Sequence, residues 1–198
     1  TVGEHTIRSM QYIRADKVLR LTMLLHDVAK PVCRTEDENG IHHFHGHPQV
    51  GAEMSRKILR RLKFDNDTIH RVMALVRAHD DRPPLQGRSV RRAIYRNGTE
   101  QYPELFEVKR ADILAQSSFL QQEKLLYVDR YEHMYQQIME KEQCLSLKEL
   151  AVNGSDLIAR GIQPGKEIGE ILHQMLEKVL EEPELNEKEV LLAWYFKA

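Results

Sequence analysis

Cysteine is nearly absent. Cys33 and Cys144 are the only two in 198 residues, and they stand far apart. That excludes a disulfide-stapled scaffold and a thiolate zinc site, and it fits a reducing cytoplasm, the expected location. No apolar run approaches ~20 residues, so no membrane span and no membrane partner are expected. The N-terminal TVGEHTIRSM lacks a basic stretch followed by a long apolar one, which argues against a secretory leader. It also lacks an initiator Met, and the chain reads as a piece of a longer one. Repeats and low-complexity segments are missing too. The length therefore suits one ordinary domain, or one domain with an appendage.

What is present is a chain with 41% hydrophobic and 30% charged residues, enough apolar surface for a real core. Its formal net charge of −1 hides an asymmetry. Residues 54–96 carry twelve Lys/Arg against four Asp/Glu, and residues 167–198 carry three against eight. A basic middle beside an acidic tail is what a face meeting a polyanion shows; ordinary solvated helix faces show the same pattern. The ten histidines are the unusual count.

Helical periodicity dominates. DKVLRLTMLLHDVAK places Val18, Leu21, Leu24, Leu25 and Val28 on one stripe, with Pro31 as its stop. HPQVGAEMSRKILRRLKF repeats the pattern through Val50, Met54, Ile58 and Leu62. DNDTIHRVMALVRAHD opens on capping residues and carries Ile69, Val72, Met73 and Val76. Further helices follow to the C-terminus, one of them (SDLIARG) after a Ser cap. CRTEDENGIHHFHGH breaks the period: its Asn39-Gly40 predicts a loop or small hairpin. The expected class is all-α, with nine or so helices and a change of character near residues 143–153.

Imidazole and carboxylate together suit zinc, manganese, iron or nickel when they converge from different elements. Candidates are His5, His26, Asp27, His42, His43, His45, His47, His70, His79, Asp80 and Asp112. His26-Asp27 alone reads as a polar helix end, with His26 facing the helix dipole. Two apolar helices both ending in His-Asp, at His26-Asp27 and His79-Asp80, are harder to assign to chance. Asp112 falls near an apolar helix face, where a carboxylate without a cation is costly. His42, His43 and His45 belong to the loop, as exposed polar residues or substrate contacts; His70, His133 and His173 read as surface.

The order His5, His26-Asp27, Asp112 resembles the HD superfamily of metal-dependent phosphohydrolases, and the added His47 and His79 resemble its two-metal members. More narrowly, LLHDVAKP, HFHGHPQVGAEMSRKILRRLKF, SVRRAIYRNG…LFEVKRADILAQ and VNGSDLIARGIQPGKEIGEIL are similar to the C-terminal part of bacterial CCA-adding tRNA nucleotidyltransferases and poly(A)-polymerase-like proteins. This likeness implies an HD-domain helical bundle over residues 1–145 and a smaller C-terminal helical tail over 146–198. It implies one or two divalent metals (Mn, Ni, Fe, Zn or Mg) on His5, His26, Asp27, His47, His79 and Asp112, with Asp27 bridging. Two such metals would let a water lose its proton near neutral pH and attack phosphorus. Lys30 and Arg8 would hold phosphate oxygens, and Asp80 would either relay a proton to the leaving oxygen or stand as an exposed partner for Arg77 or Arg82. The expected substrate is a nucleotide or an RNA 3′-end phosphoester, tRNA included. Arg56, Lys57, Arg60, Arg61, Arg88, Arg91, Arg92 and Arg96 would follow an RNA backbone. The family's nucleotide addition uses a Gly-Ser loop and a carboxylate pair on a sheet, and this sequence contains neither. The alternative is therefore a tRNA-binding helical body without its catalytic nucleotidyltransferase domain.

Overall fold

The computed structural model describes residues 1–141 and 143–197, and the fold is all-α. Helix α1 (Val2–Ser9) starts on a capping box in which Thr1 and Glu4 satisfy each other's backbone donors, so His5 lies inside the helix. Helix α2 (Lys17–Leu25) is capped by Asp16, whose carboxylate accepts from the amides of Val18 and Leu19. The regular helix ends at Leu25, before Pro31 can act. Turn bonds take over, from Val28 N to Leu25 O and from Lys30 N to Asp27 O. His26-Asp27 therefore sits just past the helix rather than within it.

Strands β1 (Thr35–Glu36) and β2 (His42–His43) pair antiparallel, with Thr35 opposite His43. Between them Asp37 accepts from the amides of Asn39 and Ile41, and Gly40 takes φ +75°, a conformation that glycine adopts without penalty. Helices α3 (His47–Arg61), α4 (Asn66–Ala78), α5 (Gly87–Asn97), α6 (Tyr102–Ala115) and α7 (Gln121–Glu140) follow. Then come α8 (Gly154–Ala159), α9 (Lys166–Glu181), a single 3₁₀ turn at Pro183–Leu185 and α10 (Lys188–Lys197). The cap of α8 is Asn153, which accepts from Ser155 N and Asp156 N; the Ser cap expected from sequence is instead part of the first turn. No described helix is long and apolar enough to cross a membrane.

The chain forms two units, Thr1–Arg82 with Asn97–Arg130, and Pro83–Arg96 with Tyr131 onward. In the first, the buried face of α2 is Val18, Leu19, Thr22, Met23 and Leu25, while Leu24 is half exposed. The buried face of α3 is Gly51, Ala52, Ser55 and Leu59, not the bulkier Val50–Leu62 stripe; Val50 and Leu62 are exposed. Small residues win that face because the backbones come close: a Cβ on Gly51 would lie 3.4 Å from Val76 Cγ1 and 3.7 Å from His26 O. The hydroxyls of Thr22 and Ser55 are buried at no cost in unpaired donors, since each bonds a carbonyl of its own helix, Val18 O and Gly51 O.

In the second unit α5 and α9 run together. Val90, Ala93 and Ile94 are buried on one, and Ile171, Met175, Leu176, Val179 and Leu180 on the other. Arg88 pairs with Glu181 and Arg92 with Glu177 at their edge. Arg91, expected among the RNA-facing cations, is turned inward and only 8% exposed. Its Nε donates to Leu180 O (2.7 Å), its Nη2 to Glu181 O (2.9 Å) and its Nη1 to Gln143 Oε1 (3.3 Å). It satisfies the carbonyls that the last turn of α9 leaves without partners, and its charge complements that helix end. Arg91→Met removes the donors and strands those carbonyls, so it is expected to destabilise this unit by about 3 kcal/mol. A lowered urea midpoint with an unchanged slope would show this, with Arg91→Lys falling in between; a midpoint equal to wild type would contradict the role.

Candidate metal centre

Five separate elements bring six side chains together, all within the first unit. His5 comes from α1, His26 and Asp27 from the turn after α2, His47 from the first residue of α3, His79 from the residue after α4, and Asp112 from α6. His26 and His79 occupy equivalent places. Each follows the last residue of a helix, and each donates from Nδ1 to the carbonyl three residues back: Met23 O at 2.7 Å and Val76 O at 2.6 Å. His47 does the same to Phe44 O at 2.8 Å. Gly46 takes φ +76° just before it and turns the chain into the helix. With the Nδ1 proton committed to a carbonyl, the Nε2 lone pair of each ring is left to point inward. This is the orientation that the outer partners of metal-bound histidines impose.

The Nε2 atoms fall into two sets around one carboxylate. Asp27 Oδ2 lies 3.4 Å from His26 Nε2 and 3.7 Å from His5 Nε2. Asp27 Oδ1 lies 3.5 Å from His47 Nε2 and 3.7 Å from His79 Nε2. His47 and His79 approach to 3.3 Å, nitrogen to nitrogen, and His5 and His26 to 3.2 Å. Two such lone pairs repel unless a proton or a cation lies between them. Asp27 is 1% exposed, and its Oδ1 is a buried polar atom with no hydrogen-bond partner. A carboxylate oxygen left in that state costs a few kcal/mol. Nitrogen and oxygen donors, burial and the orphaned oxygen together fit a divalent cation in each set.

The electrostatics agree. Burial opposes charge on His26, but hydrogen bonds to Asp112 and Asp27 outweigh it and lift its pKa to about 9. Burial would raise the pKa of Asp27, yet the surrounding histidines and Lys30 hold it far below the carboxylate range. Asp112 is depressed in the same way, against its own burial, by His26 and His5. Burial also pushes His47 down, towards the neutral form that binds metal. The two buried carboxylates are thus ionised, with the His26 proton and Lys30 answering their charge, and a divalent cation would take the place of that proton.

The remaining candidates are placed less uniformly. Lys30 donates to Asp27 Oδ2 at 2.6 Å and lines an open cavity of about 410 Å3 beside the cluster, with His43, His45, Asp80, Arg82 and Gln116. Asp80 is exposed there and pairs with Arg82. Arg8 is exposed on α1 and lines neither cavity described below or above. Arg60, Arg61 and Lys57 are exposed at the C-terminal end of α3, whereas Arg56 is tied to Glu53. Arg96 is exposed on α5. Two supporting residues escape a sequence reading. Gln116 donates to Asp112 Oδ2 at 2.9 Å. Lys109, 4% exposed, donates to the carbonyls of Ala78, His79 and Asp81 and so holds the turn that carries His79. Burial pushes its pKa down to about 8. The only signal was their spacing from Asp112, one helical turn either way, which any surface residue shares.

A CC-adding tRNA nucleotidyltransferase of Thermus thermophilus is 33% identical over 180 residues, covering 88% of this chain and 40% of its own. An A-adding tRNA nucleotidyltransferase of Deinococcus radiodurans is 31% identical over 185 residues, covering 89% of this chain and 42% of its own. The chain thus spans about two fifths of the length of these curated relatives. The family described as tRNA nucleotidyltransferase domain 2 matches residues 35–195, a span that begins after His5, His26 and Asp27. Because that match takes in most of its length, the chain belongs to the tRNA nucleotidyltransferase domain 2 family.

Proposed function

We infer that this chain is the helical, tRNA-holding part of a nucleotide-adding enzyme. The observation that carries this is the pairing of coverage figures: nearly nine tenths of the chain aligns with two tRNA nucleotidyltransferases, using only about two fifths of each. Among the described residues the only sheet is a two-residue hairpin, which offers no platform for the nucleotidyl-transfer carboxylates. The chain's own contribution would be grip. Arg60, Arg61 and Lys57 suit it, since among the described residues none of them has a carboxylate partner. They sit in the C-terminal half of α3, roughly 15 to 20 Å from His47 at 1.5 Å per residue. Backbone contact and cluster chemistry would then occupy different ends of one helix.

A second reading, a metal-dependent phosphohydrolase, is favoured by the shared Asp27 and its orphaned oxygen. Bound divalent metal would supply Lewis acidity and an activated nucleophile there. Asp27 would divide its two oxygens between the histidine sets and keep them in register. Lys30, bonded to Asp27, would neutralise a phosphoryl oxygen, and so would Arg82, which lines the same cavity. Asp80, exposed beside Arg82, would take the proton released by the attacking water and pass it to the leaving oxygen. The two readings are compatible in one chain.

Two measurements separate them. For the first, Arg60→Glu with Arg61→Glu should weaken tRNA binding at least tenfold at low salt. It should also reduce the slope of log K against log salt by about 2, as two phosphate contacts are lost. Unaltered tRNA affinity would remove this surface from the proposal. For the second, protein purified without chelator should carry stoichiometric metal. Nickel or manganese at a hundredfold over its Kd should raise folding stability by about 2.7 kcal/mol, seen as a higher melting temperature. Asp27→Ala should lose both the metal and the shift while retaining tRNA binding. Metal-free protein with no thermal response would sink the hydrolase reading and leave the tRNA reading standing.

A further inference from the structure

A second cavity, of about 320 Å3, opens between α6 and the first half of α7. Ile113, Leu120 and Val128 give it a mostly apolar wall, Tyr127 adds an aromatic ring, and Lys124 and Glu123 stand at its rim. It shares His79, Arg82 and Asp112 with the cavity over the metal cluster, so the two spaces meet at the cluster's edge. A hydrogen-bond chain also joins them: Lys124 Nζ donates to Gln116 Oε1 at 2.7 Å, and Gln116 Nε2 donates to Asp112 Oδ2.

We propose that this cavity is a nucleoside subsite, holding the base and ribose of a nucleotide whose phosphate lies over the His/Asp cluster. The inference rests on the metal-dependent phosphoester reading of that cluster. Its size is at the low end for small-molecule pockets, room for one nucleoside and not for a chain of them. The apolar wall and Tyr127 suit the faces of a planar base. Lys124 and Glu123 offer one ammonium and one carboxylate, which suit base acceptors and ribose hydroxyls. Positive charge for the phosphate lies on Arg82, where the two cavities meet, and on Lys30 in the cavity over the cluster. Apolar wall, mixed rim and cationic junction thus follow the order base, ribose, phosphate. The nucleoside could be a free mononucleotide or the last residue of an RNA.

Calorimetric titration of the full chain with AMP, adenosine and inorganic phosphate tests this, with elemental analysis as a separate arm. AMP should bind at least tenfold more tightly than either adenosine or phosphate. Ile113→Phe, which fills the wall, should reduce AMP to the affinity of inorganic phosphate while metal content stays unchanged. Should that variant fold poorly, Lys124→Ala at the half-exposed rim should weaken AMP about tenfold and leave phosphate binding as it was. The subsite is overturned if AMP gains nothing over inorganic phosphate, or if both variants keep the AMP advantage. Protein that takes up no metal would count against the cluster reading alone; adenosine binding lost in Ile113→Phe would still support the subsite in that protein, and no adenosine binding would overturn it. A short RNA ending in adenosine that matches AMP assigns the RNA end as the source, and one that fails to bind while AMP binds assigns the free nucleotide.

Discussion

The carboxylate of Asp27 is the constraint around which the first unit is arranged. It is buried, ionised and shared between two pairs of histidines that come from four different elements. A buried carboxylate is tolerated only where positive charge and hydrogen-bond donors surround it. That requirement constrains where α2 and α4 end and where α3 begins, because each has to deliver an imidazole to the same few ångströms. Lys30 and the histidine protons meet part of the demand on one oxygen; the other oxygen faces only imidazole nitrogens.

Helix ends supply the rest of the design. A terminating helix leaves carbonyls without partners, and here Met23 O and Val76 O orient the rings of His26 and His79. One need, a partner for an orphan carbonyl, and another, a fixed imidazole tautomer, are met by a single bond. Lys109 closes a third case, binding the carbonyls just after α4. The same logic recurs in the second unit: Arg91 satisfies the end of α9 and also bonds Gln143. A cation at a helix C-terminus is therefore no guide to function by itself.

The basic middle of the sequence divides accordingly. Arg91 is structural, Arg88, Arg92 and Arg56 are paired with glutamates, and Arg60, Arg61 and Lys57 are left to solvent. The charge count over residues 54–96 therefore overstates the surface that can meet a polyanion.

The all-α class, the Asn39-Gly40 hairpin and the capping residues Asp16 and Asp65 follow from local rules: periodicity, turn chemistry and side-chain caps act within a few residues. The six cluster residues were also legible, because repeated His-Asp helix ends and a family likeness do not depend on distance. Which face of a helix is buried was not. On α3 the sequence favours Val50 and Leu62, and the fold buries Gly51, Ala52 and Ser55. Hydrophobicity ranks residues one at a time, while close approach of two backbones selects for small ones. Gln116, Lys109 and the inward turn of Arg91 were equally invisible, since each acts on a partner far away in sequence. Local chemistry determined the elements and the donor types. Only tertiary packing decided that Asp27 would lie between two histidine pairs with one oxygen unsatisfied, because that depends on where five separate segments meet.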